Sequence, residues 1–190
     1  MNAIDLLLEQ HKKTKATLAK LARAEHVDAE ELRAAGDELV AHMVIEEHVF
    51  YPRVRELDDD LVEESFEEHA VARFELARAM IAGEEQQKAR LSVLQELVDE
   101  HVEEEEKELL PKVRRAIPAS ELERLGQRMQ AMFERAVELG LDGLVKGPGE
   151  LDVSELEEGR LRGLPGLAKH GRAKATPPRG RATGTSARAR

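Results

Sequence analysis

Residues 38–52, ELVAHMVIEEHVFYP, and residues 96–111, ELVDEHVEEEEKELLP, repeat one pattern: a His, a Glu four residues on, a second Glu beside it, and a Pro ten residues after the His. On a helix, positions i and i+4 share a face, so His42 with Glu46, and His101 with Glu105, each aim an imidazole and a carboxylate the same way. Both pairs interrupt otherwise apolar helical stripes. One runs Leu32, Ala35, Leu39, His42, Glu46, Val49; the other runs Leu91, Leu94, Val98, His101, Glu105, Leu109, Val113. A chain that folds by burying these stripes must bury two carboxylates with them. An unpaired buried carboxylate costs several kcal/mol, so something has to neutralise them.

The repeat extends upstream. Residues 3–24 place Ile4, Leu7, Leu8, His11, Leu18 and Leu21 at helical spacing, and a helix from about Asp60 to Met80 places Val62, Phe66, His69, Leu76 and Met80 likewise. His69 follows His11 by 58 positions, while His101 and Glu105 follow His42 and Glu46 by 59. Two helical units joined by short links predict an up-down-up-down antiparallel four-helix bundle. Asp28 with Glu31, Asp60 with Glu63, and Ser120 with Glu123 are expected helix caps. Pro52 should kink or end its helix by Leu57. A fifth helix, about 119–139, carries Leu122, Leu125, Met129, Met132, Phe133 and Val137, holds no inward ligand, and should stop at Gly140.

At 190 residues, with 36% charged and only 3% aromatic side chains, the chain suits one all-α domain with a solvated exterior. The expected division is a bundle over 1–139, with its core in 3–116, and a disordered Gly/Pro/Arg-rich tail over 140–190. All 39 acidic residues precede residue 159, whereas residues 159–190 carry nine basic side chains and no acidic one. The body should repel nucleic acid; the tail, lacking aromatic interleaving, supports at most nonspecific attraction to an anionic partner. No apolar run reaches membrane-spanning length, and the opening MNAIDLLLEQHKK has no basic leader or cleavage site, so a cytoplasmic location is expected.

No Cys is present, so a metal here is held by imidazole and carboxylate. A single His on an apolar stripe is more often a hydrogen-bonded core residue. Six groups in a repeat are different, because the inward stripes offer no Arg or Lys to pair with the acids apart from Arg73, one turn beyond His69. His11, His42, Glu46, His69, His101 and Glu105 suit two divalent or trivalent cations, the imidazoles divided between them and the carboxylates bridging. Glu47, His48 and Glu106 fall off-stripe and are candidates for an outer role. Tyr51 is expected a turn or more from the cations, donating a hydrogen bond. His26 lies in a loop and His170 in the tail, and neither is a candidate.

The order His, H-x-x-x-E, His, H-x-x-x-E resembles the hemerythrin-like HHE cation-binding domain over about residues 3–116, and the Pro after each paired motif matches too. The resemblance implies a non-haem di-iron centre with His11, His42, His69 and His101 as terminal ligands and Glu46 and Glu105 as bridges. Manganese or zinc would also accept this donor set. Oxygen-carrying hemerythrins add a His one turn after the third-helix ligand, where this chain has Arg73. That departure points away from reversible oxygen carriage and towards binding, sensing or handling of iron, oxygen, peroxide or nitric oxide. Two other readings stay open: an enzyme turning over peroxide or nitric oxide, although no separate acid, base or nucleophile constellation is evident, and a metal-responsive module whose basic tail docks on an anionic partner.

Overall fold

The computed structural model describes residues 1–147, 150–154 and 156. Helix α1 spans Ala3–Arg23, opened by the Asn2 side chain, which accepts from the Asp5 amide at 3.0 Å. Helix α2 spans Ala29–Ile45, and Asp28 caps it by accepting from the Glu31 amide at 2.8 Å, as its sequence predicts. Helix α4 spans Asp59–Met80 and α5 spans Glu84–Glu104, and between α2 and α4 lies the short α3, Tyr51–Val54. Helix α6 covers Leu110–Ala116 and α7 covers Ala119–Leu144. Two expected caps do not form. Asp58, not Asp60, occupies the start of α4, where its carboxylate pairs with Lys112, and Pro118 opens α7 without a side-chain cap.

Neither paired-motif helix simply ends at its proline. Pro52 has no amide proton to give the His48 carbonyl, and its ring crowds that carbonyl. The backbone widens into a π-turn over Glu46–Phe50, and the Tyr51 amide reaches back five residues to the Glu46 carbonyl. A 3₁₀ turn over Arg55–Leu57 then closes the segment, at the residue expected from the sequence. The second unit repeats the solution: Glu105–Leu109 is a π-turn, and the Leu110 amide reaches the Glu105 carbonyl just before Pro111. Each wide turn begins at a Glu that the sequence assigns to a bridge. Insertions of this kind are frequent at functional sites because they re-aim the side chains they carry.

Helices α1, α2, α4 and α5 close into a four-helix ring, with α1 against α2 and α5, and α4 against α2 and α5. The ring has two apolar cores. One gathers Leu18, Leu21, Leu39, Leu76, Leu91 and Val98; the other gathers Ile4, Leu7, Ile45, Phe50, Tyr51 and Leu109. Along every helix of the ring, the switch from one core to the other falls at the predicted polar groups. His11 lies between Leu7 and Leu18, His42 between Leu39 and Ile45, His69 between Val62 and Ala72, and His101 with Glu105 between Val98 and Leu109. A buried polar belt therefore separates two greasy layers.

Helix α7 packs lengthwise across α1 and α2. It approaches the start of α1 so closely that a Cβ on Gly126 would stand 2.6–2.7 Å from the backbone of Asn2, Ala3 and Met1. Its Met132 and Phe133 pack against both cores. The helix was expected to stop at Gly140, and Gly140 does leave helical geometry, with φ at +62°. The chain nevertheless resumes its helix to Leu144, because Asp37 on α2 accepts from the Leu141 amide at 2.7 Å and caps the restart. Leu144 and Leu156 are buried, and strands β1 (Val145–Gly147) and β2 (Glu150–Leu151) pair antiparallel, so this part of the expected tail is built onto the bundle. The other residues of 140–190 lie outside those described. No described helix is long and apolar enough to cross a membrane.

Candidate metal centre

The six groups singled out in the sequence are all buried, Glu46 and Glu105 completely so. Each side chain is delivered by a different part of the ring, and the two π-turns supply the carboxylates. Glu46 is central: one oxygen lies 3.2 Å from His42 Nε2 and 3.3 Å from His69 Nε2, and the other lies 3.6 Å from His11 Nε2. Glu105 lies 3.4 Å from His11 Nε2, and His69 and His101 bring their Nε2 atoms to 3.1 Å. Two triads have ligand atoms mutually within 4.8 Å, His11–His42–Glu46 and Glu46–His69–His101. Glu46 belongs to both, and Glu105 completes neither.

The outward nitrogen of every ring is also engaged. Nδ1 pairs with Glu106 at 3.1 Å in His11, Gln10 at 2.9 Å in His42, Glu47 at 3.0 Å in His69 and Glu68 at 2.8 Å in His101. A neutral ring that donates from Nδ1 has its Nε2 lone pair free, and all four Nε2 atoms face the belt. Glu47 and Glu106, off-stripe by helical phase, thus hold imidazoles. Gln10 and Glu68 were missed by the sequence reading. The signal was present: each immediately precedes a single-His position, and they are 58 apart like His11 and His69.

Arg73 is buried and gives Nη1 to Glu47 at 2.5 Å, with Met43 Sδ at 3.8 Å. Arg73, the cation expected on the inner stripes, is therefore committed to an outer carboxylate. Tyr51 lies nearer than expected, its hydroxyl 3.5 Å from His69 Nε2, and its ring meets Phe66 edge-on. His26 is exposed beside Glu84 and takes no part. A cavity of about 10 Å³ touches the four imidazoles and is walled by Thr14, Leu39, Met43, Ala72 and Val98. That is about the threshold for one water-sized molecule.

Charge in the metal-free belt is settled by the imidazoles. Burial works against a charged His11, yet Glu105 and Glu46 outweigh it and lift its pKa from 6.5 to about 10. Burial opposes a charged His69 too, and Glu46 with Glu47 raises it to about 9. His42 goes the other way: burial, helped by the neighbouring imidazoles, lowers it to about 3 despite Glu46. Burial resists the Glu46 carboxylate, but His42, His11 and His69 hold its pKa well below the usual range. Burial, reinforced by Glu105 and Glu46, pushes the Tyr51 hydroxyl well above its ordinary value, so it stays protonated.

Protons do not finish the task. Both oxygens of Glu46, both oxygens of Glu105 and Nε2 of His11 are buried without a hydrogen-bond partner. Buried polar atoms are rarely left so, and here five converge with the donor chemistry of a hard-to-borderline cation. The residues fit a metal.

A family model described as the hemerythrin HHE cation binding domain matches residues 2–113. No curated protein sequence matches the chain. Among solved structures, the chain is similar to a hemerythrin HHE cation binding domain-containing protein from Mycobacterium kansasii. The similarity has 25% identity and a TM-score of 0.61, covering 73% of this chain and 88% of that one.

Proposed function

Because this chain belongs to the hemerythrin HHE cation-binding domain family, we propose that its belt holds two iron ions and that the protein binds, senses or handles iron and a small ligand such as oxygen, peroxide or nitric oxide. The observation that carries this reading is the set of buried carboxylate oxygens with no hydrogen-bond partner, facing four imidazoles whose other nitrogens are already engaged.

In this reading His11 and His42 serve one ion, His69 and His101 the other, and Glu46 is shared. Glu105 is the second carboxylate. Iron held there supplies redox and Lewis-acid chemistry to the small ligand. The protein's part is to orient and to exclude. Glu106, Gln10, Glu47 and Glu68 fix the ring tautomers, the two apolar layers keep bulk water away, and the cavity beside the rings, about one water in size, shuts out bulky ligands. Tyr51 offers a neutral hydroxyl at the edge of the belt.

Metal analysis with an optical spectrum, taken before and after exposure to oxygen, peroxide or nitric oxide, tests the reading. About two irons per chain and near-ultraviolet absorption that changes with one of these ligands are expected. Metal-free protein that takes up no iron on reconstitution would overturn it.

A further inference from the structure

The repeat gives every residue of the belt a counterpart, and the counterparts are not equivalent. His101 donates from Nδ1 to the carboxylate of Glu68 at 2.8 Å, whereas its counterpart His42 meets the neutral amide of Gln10 at 2.9 Å. His69 is held by Glu47, whose side chain is 8% exposed and pinned by Arg73 at 2.5 Å. Its counterpart His11 is held by Glu106, 38% exposed. Arg73 corresponds to Lys15, which points instead to Asp99, at 3.5 Å.

We infer that the two half-sites differ in affinity and fill in order, the His69–His101 half before the His11–His42 half. The inference rests on the two-cation reading above. A carboxylate that accepts from Nδ1 makes the imidazole more basic and fixes its plane, and losing such a partner typically costs 10–100-fold in metal affinity. An amide does less. Burial shields the Glu47 carboxylate from water, but Arg73 on the same oxygen offsets part of its charge, so the Glu68-for-Gln10 difference sets the order. One contact opposes it: Glu105 lies 3.4 Å from His11. A carboxylate shared between two ions serves both and does not rank them, whereas one serving only the His11 side would reverse the order.

Titrating metal-free protein with iron(II) under inert gas, followed by calorimetry, reads the order. Two steps separated by about 10–100-fold are expected. Gln10→Glu should tighten the weaker step alone, and Glu68→Gln should weaken the tighter step alone, so each substitution narrows the gap from a different side. Equal steps in the unaltered protein, or a Gln10→Glu effect on the tighter step, would overturn the ordered filling while leaving two bound ions intact. A chain that takes up no iron overturns the metal reading itself, so the two failures are distinguishable.

Discussion

Each half-site pairs two imidazoles, and each repeat unit carries one π-turn, but the walls around the two halves diverge. Where the His69–His101 half has Ser65, Phe66, Glu68 and Arg73, the corresponding positions of the His11–His42 half are Leu7, Leu8, Gln10 and Lys15. Tyr51, which reaches His69, corresponds to Leu110. The first hairpin supplies all of His11, His42 and Glu46, whereas the second must borrow Glu46 to complete its His69–His101 pair. Glu46 and Glu47 come from the first unit and lean on His69, while Glu105 and Glu106 come from the second and lean on His11. The repeat supplies a common frame, and the crossing of its carboxylates between units makes the belt a property of the closed ring.

The largest expected break in this comparison comes from the inner carboxylates. Glu46 contacts three imidazoles and Glu105 one. Glu46→Ala should abolish iron uptake, whereas Glu105→Ala should retain about one ion per chain by elemental analysis. Equal losses would make the two carboxylates interchangeable. Next in size is Arg73→Leu, which leaves the Glu47 carboxylate held by His69 and should cost about 1–3 kcal/mol in denaturant unfolding of the metal-free chain. Lys15→Leu, at a half-exposed pair, should cost under about 1 kcal/mol.

The pH response of the metal-free chain follows with its sign fixed. His11 and His69 titrate near 10 and 9 when folded, above 6.5, so their stabilisation is full below about pH 6.5 and is lost as pH rises through 9 to 10. His42, lowered to about 3, favours folding above pH 6.5 and loses that contribution as pH falls towards 3. Metal-free stability should peak near pH 6.5 and fall progressively on the alkaline side, through pH 9 to 10. In the iron-loaded chain, whose rings bind metal as neutral bases, melting curves across pH 7–10 should show that alkaline drop removed. Smallest is Tyr51→Phe, which should cost about 1 kcal/mol and perturb the His69 imidazole resonances most.

The inner groups were legible because each sits on an apolar stripe in helical phase, and a polar residue in such a stripe stands out. The ring of four helices followed from the 58–59-residue offset. What lay beyond was set by geometry that period alone does not contain. The prolines announced a disturbance near Glu46 and Glu105, but not that the backbone would widen into π-turns, which rotate each residue less than an α-turn does and bring Glu47 and Glu106 round to the rings. The continuation past Gly140 depends on Asp37, more than a hundred positions away, and no local signal reports it.

Helix α7 carries no ligand, and residues 2–113, the span matched to the family, leave it out. Yet Met132 and Phe133 are packed against both greasy layers. The helix is a splint across a seam. A fragment trimmed to the matched span would keep every inner group and lose that splint, so its amide hydrogens near the belt should exchange with solvent faster, and loading with cations would become its remaining fastening.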